Sequence, residues 1–359
     1  MAEKITNPWL QRFAVFAVAS TLCLIGIGGV VTSTGSGMTV PDWPNSYGYN
    51  MFLFPISLWE GGIFYEHSHR LVASFVGFLT IILACWLQFS RNVDKTTRIL
   101  GWSALALVIF QGVLGGLRVT MIEKQIGIFH AVTAQSFLIL LGVIAYRTSK
   151  IFNKISDSVD LDSARRCART FLVLTGLMVI QLALGATMRH QHEGLAVTTF
   201  PDAYGGILPD ISDEALAALN FDRENIHEIK PVSRINIIAH MGHRFLAYFL
   251  LLASTVIVGL GLKTGVFRKA TLAAWIPVAW CSLMWGQGLL GIVTILKNKP
   301  ADIATGHVII GAVSLLVAAL MAKHCFHRAG ACHKVALTSA TEIPHNLSVC
   351  NTESISNPA

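Results

Sequence analysis

The chain reads as an all-α membrane protein: eight transmembrane helices in two fused, pseudo-symmetric four-helix bundles, with both termini cytoplasmic. Three observations carry this. Of 359 residues, 53% are hydrophobic and 13% charged, and the mean hydropathy of +0.58 is too high for a soluble chain of this length. Eight apolar runs approach the roughly 20 residues that an α-helix needs to cross a bilayer. Short motifs also recur at near-constant spacing across the two halves.

The runs predict helices near 12–34, 68–90, 98–119, 126–147, 167–188, 236–262, 271–296 and 303–323. The first resembles a signal peptide, but its apolar run is long and no clean small-residue cleavage site follows, so it is read as retained. The loop at 35–66 carries Trp43, Tyr47 and Trp59, suited to a membrane interface, with Pro41 and Pro44 stiffening its path. It reads as ordered. The loop at 189–235 carries eight acidic residues and the stretch ISDEALAALNF, where Ser212 predicts the cap of a short surface helix. The polar stretch after 328 predicts disorder.

The repeat sets the domain boundaries. EHSHRLVA (66–73) resembles HMGHRFLA (240–247), QGVLGGLRVT (111–120) resembles QGLLGIVTIL (287–296), and GIFHAVTA (127–134) loosely resembles GHVIIGAV (306–313). His243 lies 174 residues after His69, Gln287 176 after Gln111, and His307 177 after His130. Near-equal offsets imply an N-terminal bundle (1–147), a cytoplasmic linker (148–166), a C-terminal bundle (167–327) and a tail (328–359).

Basic residues orient the chain. With the N-terminus inside, 17 of the 27 Lys and Arg fall on the cytoplasmic side, whereas the outer side holds the other 10 against 13 of the 20 acidic residues. This is the positive-inside pattern of a cell inner (plasma) membrane protein. The net charge of +7 therefore reports orientation among lipids, and no nucleic-acid surface is read from it. Cys23, Cys85 and Cys281 fall within helices, and Cys167, Cys325, Cys332 and Cys350 lie on the cytoplasmic side, where disulfides rarely persist.

His69, His130, His243 and His307 sit near the outer ends of predicted helices 2, 4, 6 and 8. A lone histidine in a membrane helix is more often a hydrogen-bonded packing residue or a proton-relay element than a metal ligand. Four at repeat-equivalent depth favour two bis-histidine haem sites, His69 with His130 and His243 with His307. Helices 3, 5 and 7 carry Q-x-x-x-G at Gln111–Gly115, Gln181–Gly185 and Gln287–Gly291, a spacing that clears one face for a flat macrocycle or simply for close helix packing.

His67 and His240 are candidates to support the ligands; His190, His192, His227, His324, His327, His333 and His345 read as solvated surface. Glu66 stands one helical turn before His69, where the second half has His240. A carboxylate beside only one histidine pair suits proton transfer or charge stabilisation there, and its bland alternative is an ion pair with Arg70. Arg70 and Arg244 follow His69 and His243 directly. They could hold haem propionates or snorkel to the headgroups, and their repetition favours propionates.

Taken together, Glu66-x-x-His69-Arg70, His130, His243-Arg244 and His307 resemble the haem A synthase family over roughly residues 10–325. The resemblance implies an oxidoreductase that converts the C8 methyl of haem O to a formyl group by successive hydroxylation and dehydration. By the same carry-over His69 and His130 serve the substrate haem O, His243 and His307 ligate a haem B cofactor, and Glu66 is catalytic. The family also implies haem O synthase as a partner, an electron donor that is a quinol or ferredoxin-like, and compatibility with a homo-oligomer. Outer-loop cysteine pairs, present in some members, are missing, as in the branch that includes the mitochondrial type. Two rival classes are a cytochrome b-like quinol oxidoreductase and a non-catalytic haem-binding transporter.

Overall fold

A computed structural model describes residues 7–153, 159–191, 194–226, 230–270 and 272–341. Its helices are α1 (Pro8–Ser33), α2 (Gly61–Phe89), α3 (Lys95–Met121), α4 (Lys124–Arg147), α5 (Lys150–Asn153), α6 (Leu161–His190), α7 (Asp213–Asn225), α8 (Arg234–Thr264), α9 (Val266–Lys269), α10 (Trp275–Leu296) and α11 (Ala301–Thr341). Among the described residues there is no strand, only two isolated β-bridges. Eight helices, α1 to α4, α6, α8, α10 and α11, are long and apolar enough to cross a membrane, and each coincides with a predicted run.

Capping sets the helix ends more than hydropathy does. Asn7 accepts hydrogen bonds from Trp9 N and Leu10 N at the start of α1, Asp94 caps α3 through Thr97 N, and Asp160 caps α6 through Ser163 N. The basic linker therefore ends at Asp160, before the expected 166, because the polar first turn of α6 belongs to the helix. Likewise α2 starts at Gly61, so Glu66 and His67 lie on the helix rather than at its edge. Ser212 caps α7 as expected, accepting from Ala215 N.

The disorder expected from 328 is corrected over its first part. α11 runs on to Thr341, because AGACHKVALTSA is rich in alanine, which favours helix without a hydrophobic face. Residues 342–359, with His345, lie outside the described residues, as do His192 and His227.

The helices pack as two closed rings. α1 packs on α2 and α4 while α3 packs on both α2 and α4; α6, α8, α10 and α11 close a second ring in the same order. α1 against α11, and α4 against α6 and α11, join them. The first ring buries Leu10, Val76, Leu83, Leu87, Phe137 and Leu141. In the second, Trp280 is fully buried against Phe171 and donates from Nε1 to Ser314 O at 3.0 Å.

Outward faces are as apolar as the cores: Phe75, Phe78, Ile109, Phe249 and Leu252 are all exposed. Water would not tolerate so extensive an apolar surface, and lipid is its proper solvent. The chain is a multi-pass membrane protein.

At the end of the rings away from the long loops, Arg147 pairs with Asp94 at 2.8 Å and donates from Nε to Thr97 Oγ1. Tyr146 bonds His324 Nδ1 at 3.0 Å, and the His327 ring stacks on Phe152 with centroids 3.9 Å apart. His324 and His327 are thus packing residues that hold α4 and α5 to α11, a correction to their solvated reading.

Candidate functional site

Each histidine of the two expected pairs lies in the second or third turn of its helix, His69 on α2, His130 on α4, His243 on α8 and His307 on α11. The two helices of a pair occupy opposite corners of their ring, so the imidazoles enter the interior from facing sides. His69 and His130 are close enough to feel each other's charge, as are His243 and His307. All four residues are partly buried.

Every one of these rings lies against a glycine of a neighbouring helix. A Cβ on Gly28 of α1 would stand 3.0 Å from His69 Nε2, on Gly115 of α3 3.6 Å from His130 Cε1, on Gly185 of α6 3.1 Å from His243 Cε1, and on Gly291 of α10 3.2 Å from His307 Cε1. The Q-x-x-x-G spacing now has a use beyond close helix packing. His243 Nδ1 donates to Gln181 O at 3.1 Å and His307 Nδ1 to Gln287 O at 3.0 Å; the His130 ring likewise meets the Gln111 backbone. A carbonyl only accepts, so the proton sits on Nδ1 and the Nε2 lone pair is kept for a metal. On α1 the corresponding residue is Leu24, four before Gly28, which is why no such motif marks the first helix.

This donor set fits haem iron. Neutral imidazoles oriented by a backbone carbonyl are ordinary axial ligands. Among the described residues no group of three or more His, Cys, Asp or Glu could hold a bare ion. A pair of histidines therefore calls for a metal that brings its own equatorial donors.

Beside each pair, the long loop is latched to the ligand-bearing helix by the same set of bonds. In the first half Glu66 accepts from Thr39 N at 2.7 Å and Val40 N at 2.9 Å and pairs with Arg70 at 2.8 Å. Arg70 donates to Asp42 O, Asn45 O and Val40 O. In the second half Val197 N donates to His240 Nδ1 at 3.4 Å, and Arg244 donates to Thr199 O and Asp202 O, both at 3.0 Å.

The latched segments share their conformation too. Trp43–Pro44 and Phe200–Pro201 are both cis; Tyr47 and Tyr204 have φ of 50° and 55°, each followed by a left-handed glycine, Gly48 or Gly205. The tyrosine hydroxyls return to Thr39 O and Ala196 O. Burial pushes the Asp42 carboxyl up, but the N–H groups of Gly48 and Tyr47 and the charge of Arg70 outweigh it, holding the group below the usual carboxylate range.

These bonds bear on three of the expectations. Arg70 and Arg244 are buried and turned onto loop carbonyls, three Arg70 N–H donors being engaged there and a fourth on Glu66; in this structure they clamp loops. Glu66 is 4% exposed and already accepts three hydrogen bonds, so the ion pair with Arg70 exists whatever else the carboxylate does. His67 and His240 support loops rather than ligands: His67 is fully buried between Phe54 and Trp59 with Nδ1 on Ser46 Oγ.

Two arginines near the sites escape sequence reasoning. Arg118 lies one turn beyond Gly115 on α3, its guanidinium over Gly37, close enough to His69 and His130 to feel their charge. Arg189 lies one turn beyond Gly185 on α6, donating to Gly29 O and, at 2.6 Å, to Ser33 Oγ, beside His307. Lone cations in the last turn of an apolar helix read as snorkelling side chains, so nothing in the pattern marks them. His190, expected at the surface, is buried against Gly127 of α4.

The sequence profile of the COX15-CtaA family, described as cytochrome oxidase assembly protein, matches residues 11–320. The chain belongs to this family. Among its relatives, a protein of Alkalihalophilus pseudofirmus named "Heme A synthase" is 25% identical over 321 residues, covering 87% of this chain and 95% of the relative. Another of that name from Methylobacterium nodulans is 26% identical over 337 residues, covering 85% and 89%. A third, from Shouchella clausii, is 28% identical over 213 residues, covering 58% and 68%. The family match spans all eight membrane helices and both histidine pairs.

Proposed function

We propose that the chain is a haem A synthase, an oxidoreductase that converts the C8 methyl of haem O to a formyl group. The observation that carries this reading is the pairing of histidines from opposite corners of each ring, each over a glycine, two with Nδ1 turned to a glutamine carbonyl and His130 against the Gln111 backbone. Full-length relatives of that name support the chemistry assigned to it.

His69 and His130 hold the substrate haem O in the first ring, and His243 and His307 hold haem B in the second. When bound, haem B supplies one-electron redox chemistry. What the protein contributes is position: the Nδ1 bonds fix tautomer and ring plane, the glycine notches set how deep each ring sits, and the surrounding apolar helices exclude water.

Glu66, three residues before His69 on the same helix, is proposed to stabilise charge or accept a proton during oxidation, while also latching the loop beside that site. The second half, with His240 at this position, latches its loop without a carboxylate. This difference supports placing the reaction in the first ring.

The two rings and their matching latches support a duplicated ancestor, with bundles at 1–147 and 167–327, N-terminus inside by the positive-inside pattern. Haem O synthase and a quinol or ferredoxin-like electron donor are the partners this activity needs. Extraction of the purified protein and mass analysis of its porphyrins tests the reading: haem O or haem A beside haem B supports it, and haem B alone overturns it.

A further inference from the structure

Arg118, Arg189 and Lys299 converge at the loop-side end of the rings, from α3, α6 and the turn between α10 and α11. Arg189 lies within electrostatic reach of both Arg118 and Lys299. Among the described residues none of the three forms a direct ion pair; the pairs are Arg70–Glu66, Arg147–Asp94 and Arg234–Asp213, with Glu66 within electrostatic reach of Arg118. Burial, with the charge of Arg189, holds the Lys299 ammonium below the usual lysine range.

Partly buried cations within reach of one another are costly. Arg118 has only the already bonded Glu66 to offset it, Arg189 and Lys299 have no paired carboxylate among the described residues, and an anion that joined them would lower the cost. Their position says which. Arg118 stands three residues beyond Gly115 and Arg189 four beyond Gly185, the glycines that face His130 and His243. Along an α-helix that is roughly 4.5–6 Å toward the loops, the end of the site where the polar carboxylates of a bound porphyrin would lie. Bonds to Gly29 O, Ser33 Oγ and Ala304 O use three of the five Arg189 N–H donors, which leaves two for a ligand.

We propose that these cations are the carboxylate-binding sites for the two porphyrins: Arg118 for the ring held by His69 and His130, Arg189 with Lys299 for the ring held by His243 and His307. This rests on the haem reading and assigns to these residues the role first expected of Arg70 and Arg244. Arg189, bonded to α1 of one ring and α11 of the other, also ties carboxylate binding in the second site to the contact between the rings.

The test follows haem transfer from the full-length holoprotein to excess apomyoglobin, then rebinding of protohaem or its dimethyl ester. Arg189→Gln should lose haem B about 10- to 100-fold faster, the effect of one charge-assisted hydrogen bond, and Arg189→Lys should recover part of the loss. The wild type should bind the ester about as weakly as Arg189→Gln binds protohaem, and the variant should discriminate little between the two. Because Arg189 also holds helices together, this ratio of acid to ester decides. Equal affinity of the wild type for both porphyrins, with a low-spin spectrum retained, overturns the carboxylate sites and leaves the haem reading standing. No low-spin spectrum with either porphyrin overturns both.

Discussion

His307 donates from Nδ1 to the backbone carbonyl of Gln287, four residues before the glycine that its ring lies against, Gly291. His243 stands in the same relation to Gln181 and Gly185. One motif thus does two things at once: the glutamine carbonyl fixes the proton on the far nitrogen, and the missing Cβ lets the imidazole approach the helix.

The glycine half of this device is open to substitution. Gly185→Val or Gly291→Val puts methyl groups where His243 or His307 stands, so each should displace the ring and abolish most low-spin haem absorbance in the purified protein. Gly176→Ala on α6, which meets nothing within 4 Å, should leave the spectrum intact. A normal low-spin spectrum in both valine variants would refute the notch.

The ligands themselves give a second expectation. His243→Ala and His307→Ala should each lose tightly bound haem B, because a six-coordinate low-spin iron needs both imidazoles. Pyridine haemochrome quantification checks this, and full retention in both would break the pairing.

Glu66 has two jobs that separate by comparison. Glu66→Gln places an amide N–H₂ against the Arg70 guanidinium, so it disturbs the latch as well as removing the carboxylate; Arg70→Gln disturbs the latch alone. If the carboxylate takes part in the chemistry, Glu66→Gln should cut haem A formation by roughly 10²- to 10⁴-fold, Arg70→Gln much less, and His240→Gln least, with haem B kept in all three. Equal losses in the Glu66 and Arg70 variants would reduce Glu66 to a structural latch.

The latches predict a stability difference between halves. Tyr204 Oη donates to Ala196 O at 2.8 Å and also accepts from Arg223 at 3.2 Å, whereas Tyr47 Oη meets Thr39 O alone and the residue is 44% exposed. Tyr204→Phe should therefore cost about 1–3 kcal/mol, since it strands a buried arginine donor, and Tyr47→Phe about 1 kcal/mol or less. Thermal unfolding in detergent that ranks them the other way would contradict this.

Much of this was legible in the sequence because bilayer physics writes long signals. Twenty apolar residues in a row, the Lys and Arg imbalance and the repeated His-Arg pairs fix eight helices and the four histidines without tertiary information. The loops were not legible. WPNSYGY (43–49) and FPDAYGG (200–206) are equivalent at an offset of 157, different from the 174–177 of the helices, so the spacing that relates the helices does not align them. Arg70 was misjudged for a related reason: its partners are backbone carbonyls 25 to 30 residues earlier, which no side-chain pattern announces. The purpose of Q-x-x-x-G also needs a third helix to become visible.

The most direct measurement is production of haem A in a host that makes haem B and haem O but has no haem A synthase. With the wild-type chain present in the membrane, the account predicts that extracted haems contain the C8-formyl product, at the expense of haem O, and that Glu66→Gln shifts the balance back to haem O. Membranes that hold the folded, low-spin protein with abundant haem O but yield no haem A when an electron donor is supplied would contradict it.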